Sequence, residues 1–173
     1  MTVDPFAPEA TSNSAGSDPF LDPSRGSFPK IGELIHKLLV MVPVEVTQTT
    51  KPNSNELQDR WSINTTVINE DGTHETFDEM FWSQTSIAAA AKKAFREKRP
   101  MLGTLHLFPV LNSKKKFANE DELLADEDVA RWISRGGTGL PPTPVAWALE
   151  AATPAQRKLA LDWWNANMNP FGA

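Results

Sequence analysis

The 173-residue chain contains no cysteine and no tyrosine. Without thiols it can form neither a disulfide framework nor a thiolate metal site, and a reducing cytoplasm is the expected location. If the chain is phage-encoded, that is the host cytoplasm. No apolar run approaches the ~20 residues that span a bilayer, so no membrane partner is expected. The opening Met1-Thr2-Val3-Asp4-Pro5 has neither the basic nor the apolar region of a signal peptide.

Signatures of catalysis and metal binding are equally scarce. His36, His74 and His106 stand singly, without His-x-x-x-His or His-x-Glu spacing, and structural roles are expected in place of metal ligation. Asp78-Glu79 and Asp126-Glu127-Asp128 lack the spaced ligands of a calcium loop. Gly136-Gly137-Thr138-Gly139 lacks the Gly-Lys-Ser/Thr ending of a P-loop. No nucleophile–base set is evident, so the expectation is a binding protein with no cofactor and no metal, not an enzyme.

What the chain does have is enough apolar material for one core, at 40% hydrophobic residues. Its net charge of −5 is unevenly spread. The surplus of acids lies in residues 1–29 and 119–173, while residues 30–118 are slightly basic. Residues 1–29 are rich in Pro, Ser, Asp and Gly without periodicity and read as a disordered arm. A domain is expected over 30–167 and a flexible tail over 168–173. Asp4-Pro5-Phe6, Asp18-Pro19-Phe20 and Asn169-Pro170-Phe171 repeat an aromatic in these ends, as a chance pattern or as a short motif for a partner protein.

A long first strand is expected over 31–50. Its apolar run is too continuous for a strand with one wet face, and Pro43 marks a bulge or an edge. Residues 60–67 alternate, with Trp61, Ile63, Thr65 and Val67 on the apolar face. Asp71-Gly72 supplies a hairpin turn into a third strand over 76–84. Ser86 is the expected N-cap of an alanine-rich helix over 87–98. Residues 101–110 form a fourth strand, and 145–150 a fifth. Between them, Asn119 opens an acidic helix expected to run to about Arg135. Thr153-Pro154-Ala155-Gln156 opens a last helix with a cap, proline at its first position and glutamine at its third.

This order predicts a mainly β fold: a five-stranded, OB-fold-like β-barrel with a helix between strands 3 and 4, an inserted helix between strands 4 and 5, and a C-terminal helix. Another small α+β or β-sandwich domain is the alternative. The stretch from Gly32 to Val46, then Phe81-Trp82-Ser83-Gln84, Met101-Leu102-Gly103-Thr104-Leu105 and Trp147-x-Leu149-Glu150 before Thr153-Pro154, resembles small OB-fold single-stranded-DNA-binding proteins of actinobacterial phages. The resemblance covers about residues 30–167 and rests on the order of short motifs. It implies non-sequence-specific binding of single-stranded DNA in phage replication or recombination. The acidic helix over 119–135 departs from that pattern.

Such binding needs cations along the phosphates and aromatic faces for the bases. Lys114, Lys115 and Lys116 are the leading phosphate contacts, in the loop between strands 4 and 5. Arg60 joins them from the second strand, and Lys92 and Arg96 from the helix. Adjacent Phe81 and Trp82 must point to opposite faces, and Trp82 is expected to be the exposed ring. His106 and Phe108 are further candidates on the fourth strand. Trp61, Trp132, Trp147, Trp163 and Trp164 are expected to pack. Replication or recombination proteins could be recruited through the acidic ends, and homo-oligomerisation stays open. The competing reading is a protein-interaction or virion-associated β-barrel module without nucleic acid, favoured by the net acidity.

Overall fold

The computed structural model describes residues 28–51, 54–110 and 117–168. The Pro-Phe motifs of the two ends and Lys114–Lys116 lie outside the described residues. Within them run five strands, β1 (Leu38–Thr50), β2 (Leu57–Ile68), β3 (His74–Trp82), β4 (Met101–Pro109) and β5 (Val145–Glu150). Four α-helices accompany them: α1 (Thr85–Glu97), α2 (Glu120–Ala125), α3 (Glu127–Ser134) and α4 (Pro154–Asn167). The strands form one antiparallel sheet in the order β3-β2-β1-β4-β5. Three consecutive strands joined by hairpins, with the fourth returning beside the first, is a Greek-key connection. The sheet is not closed: β3 and β5 are its edges.

The first strand starts later than its apolar run suggests. Ile31–Leu34 form a 3-10 turn, and β1 begins at Leu38. Its apolar start is buried on both faces. Leu39 and Met41 enter the main core with Trp61, Ile63, Trp82, Leu105 and Leu107. Leu38 and Val40 enter a second, smaller cluster with Ile68, Ala160 and Trp163, so α4 covers the other face. Burying such a side chain contributes about 1.5–3 kcal/mol, so this double burial explains the lack of alternation. The β1–β4 ladder joins only Leu38–Met41 to Met101–Thr104. Pro43 lies just past its end, where no β4 partner awaits its missing N–H. The β1–β2 register then slips between Pro43 and Glu45, leaving Val44 as the bulged residue. Beyond it, β1 continues with β2 as a two-stranded ribbon whose β1 side is largely exposed.

The Asp71-Gly72 turn forms as expected, with Gly72 at φ 86° and the Asp71 carboxylate accepting from the Thr73 amide and hydroxyl. The cap of α1 does not: the helix starts at Thr85, and its N-cap is Gln84, without a side-chain cap bond. The inserted helix is two helices. Asp126 adopts an extended backbone, ends α2 and caps α3 by accepting from the Val129 amide. Asn119 caps α2 through the Glu122 amide. Thr153 and Gln156 close the capping box of α4. Gly103 lets β4 approach the end of β5: a Cβ there would stand 2.7 Å from the Glu150 carbonyl oxygen.

Candidate functional site

Trp82 is not the exposed ring of its pair. It is 1% exposed in the main core and donates its indole N–H to Thr65 Oγ1 at 3.1 Å, whereas Phe81 is 55% exposed. The cause is a bulge. Near the turn β2 and β3 pair Ile68 with His74 and Thr65 with Phe77, but farther along Ile63 pairs with Met80 and Trp61 with Trp82. Asp78 and Glu79 together oppose Asn64, and the register is offset by one. Glu79 takes the left-handed conformation, φ 55°, and its amide donates to Asn64 Oδ1 at 2.8 Å. Trp82 therefore follows Trp61 inward, and Phe81 turns outward.

Above Phe81 sits Arg60, its guanidinium carbon 4.4 Å from the ring centroid. This is cation–π geometry. Arg60 faces Thr47 across the ladder, and Ser62 pairs with Phe81. Gln58, two residues before Arg60 and so on the same side of β2, lines a groove of about 430 Å³ between the sheet's two edges. Ser83 lines it from just past β3, Thr85 and Ser86 from the start of α1, and Trp147 from β5. Neither Arg60 nor Phe81 lines the groove, which reaches β2 at Gln58.

The other sequence candidates divide. Lys92 and Arg96 are exposed on α1, whose opposite face buries Ile87, Ala91 and Ala94. Among the described residues no ion pair is found for either. Phe95 between them and the core rests on Trp61, ring centroids 5.5 Å apart, so the end of α1 lies against the inner side of β2. Trp61, Trp132, Trp147 and Trp163 pack as expected, and Trp164 is half-buried. Phe108 is partly exposed on β4 and stacks on His106 with centroids 5.9 Å apart. His106 itself is held by two carboxylates, which would repel a phosphate there. It belongs to a different cluster.

That cluster has no local signature. His36, at φ 65° between the 3-10 turn and β1, meets His106 of β4 and Glu120, the first residue of α2. His36 Nε2 and His106 Nδ1 each lie 2.8 Å from Glu120 Oε1. The Leu107 amide donates to Glu120 Oε2 at 2.6 Å, and Glu150 Oε2 lies 3.2 Å from His106 Nε2. The His36 backbone is pinned by its amide's bond to the Leu105 carbonyl, 2.7 Å. Burial pushes the Glu120 carboxyl up, but hydrogen bonds from His106, His36 and the Leu107 amide, with the charge of His106, outweigh it and hold the group below its usual range. His74, by contrast, stands apart against Trp163. The expectation that the histidines stand singly is therefore corrected for two of the three.

The chain matches no protein-family model, no curated protein and no solved structure. No helix among the described residues is long and apolar enough to cross a membrane.

Proposed function

We propose that this protein binds single-stranded DNA without sequence preference, as a phage replication or recombination protein, and that its sheet is an OB-type barrel left open between β3 and β5. The observation that carries the reading is the Arg60–Phe81 pair, an exposed ring under a guanidinium on the β2–β3 face. OB-folds bind oligonucleotides with that face and with the loops joining strands 1–2 and 4–5, and their barrels are partly open. The strand order accords with such a barrel. A base stacks on a ring of this kind whatever its identity, and a cation beside it answers the phosphate. The groove that begins at Gln58, two residues along β2 from Arg60, gives the backbone a path. Lys92 and Arg96 on α1, and Lys114–Lys116 in the loop between strands 4 and 5, supply further charge for the phosphates. The resemblance to the phage proteins points the same way.

Fluorescence anisotropy of a labelled oligo(dT) tests this. Binding is expected to weaken steeply with salt, log K falling with log salt by roughly 0.7 per phosphate contacted. Absence of binding at low salt would sink the proposal and leave the protein-interaction module as the surviving alternative.

A further inference from the structure

We propose that His36, His106 and Glu120 form a binding site for a first-row divalent metal ion, with zinc the best match, that clips α2 to the sheet. This inference is independent of DNA binding. Three segments far apart in sequence bring Nε2, Nδ1 and Oε1 within 4.8 Å of one another. Two imidazoles and one carboxylate are a common donor set for zinc with one open position. Around a tetrahedral ion with bonds of roughly 2.0–2.1 Å, donor atoms stand about 3.3 Å apart. The two nitrogens now lie 2.8 Å from Oε1, so each of these edges must open by about half an ångström to admit an ion, with the nitrogens adjusting to the same spacing from within 4.8 Å of each other.

The surroundings are built as the outer partners of a metal site are. Leu107 holds Glu120 Oε2, which leaves Oε1 to bind through one oxygen. Glu150 faces the far nitrogen of His106 and would accept its N–H, fixing the tautomer that aims the Nδ1 lone pair at the ion. Two neutral imidazoles with the carboxylates of Glu120 and Glu150 balance a double positive charge. The His36 side chain is half exposed while Glu120 and His106 are 14% and 19% exposed, so one side of the ion would face water. His36 also keeps a left-handed backbone, uncommon outside glycine and, to a lesser degree, asparagine, aspartate and histidine. That conformation carries its ring back toward β4.

The experiment is calorimetric titration of the chelator-treated full chain with Zn²⁺, alongside Co²⁺ titration followed by visible absorption. One equivalent per chain is expected, with the d–d bands of four-coordinate cobalt. Glu120→Gln and His36→Asn should each abolish that equivalent, the latter keeping a residue that tolerates the left-handed backbone. Glu150→Gln should weaken it about 10- to 100-fold, and His74→Ala should leave it unchanged. Circular dichroism of the metal-free variants checks that they are folded. No binding by the unaltered chain, or binding that survives both Glu120→Gln and His36→Asn, would overturn the proposal and leave the cluster a hydrogen-bonded latch.

Discussion

Phe81 and Trp82 differ by one position and have opposite duties. Replacing Trp82 with Ala removes a fully buried indole and its bond to Thr65, and should cost about 3–5 kcal/mol of stability in chemical denaturation. Replacing the exposed Phe81 with Ala should change stability by no more than about 0.5 kcal/mol. The same change should weaken oligo(dT) binding by about 5- to 150-fold, the worth of one stacked base. Equal affinity in the folded Phe81→Ala variant would remove that ring from the interface. The alternation rule says that one of the pair must face inward, but not which. The choice was set by the extra residue at Asp78-Glu79, and nothing in a lone sequence announces that bulge. The histidine cluster was hidden for a related reason. Motif spacing sees neighbours, and His36 and Glu120 are 84 residues apart.

At the scale of elements, the turns and caps with strong local chemistry were the legible ones. Asp71-Gly72, the β5 limits and the Thr153–Gln156 box all form where local pattern places them. The start of β1 and the unity of the inserted helix were not legible. Both depend on what packs against the segment, and Asp126 could serve as readily inside an acidic helix as between two. Its dual position makes a prediction: Asp126→Ala should destabilise the protein by about 1 kcal/mol through the lost cap of α3, read from the midpoint of thermal unfolding. The β2–β3 hairpin makes another. Hydrogen bonds from the Thr73 hydroxyl and then its amide hold the Asp71 carboxyl below its usual value. A depressed folded value means that its contribution exists above the unfolded pKa and disappears as pH falls through the folded one. Asp71→Ala should therefore lower the melting temperature at neutral pH, and the gap to the unaltered protein should close in acid. A gap that stays constant would deny the carboxylate that role.

On the scale of the whole molecule, the slightly basic middle of the sequence places cations on more than one side of the sheet. The Arg60–Phe81 pair stands on the outer side of β2 and β3, and α1, whose end rests on the inner side of β2, presents Lys92 and Arg96 to solvent. If one DNA strand contacts both groups, Lys92→Ala with Arg96→Ala should flatten the salt dependence of oligo(dT) affinity by up to about 1.4 in log–log slope, at roughly 0.7 per lost contact. An unchanged slope would confine the interface to the sheet. The succession of strands along the chain and the helix between β3 and β4 were readable from pattern alone. The open edge between β3 and β5 was not, since element order does not specify closure.

The short ladder between β1 and β4 has a consequence during synthesis. Everything from β1 to β3 is contiguous in the chain and has been translated once Trp82 is added, before any of β4 or β5 exists. The nascent meander must wait for about twenty further residues with Leu38–Met41 unpaired on one edge, an apolar stretch offered to any passing strand. Met101–Thr104 then covers it with four residue pairs, and Gly103, bare of side chain, lets β5 follow closely behind. The narrowest joint in the folded sheet thus waits on a later strand, and its β1 edge is the stretch most exposed to misassembly until translation passes β4.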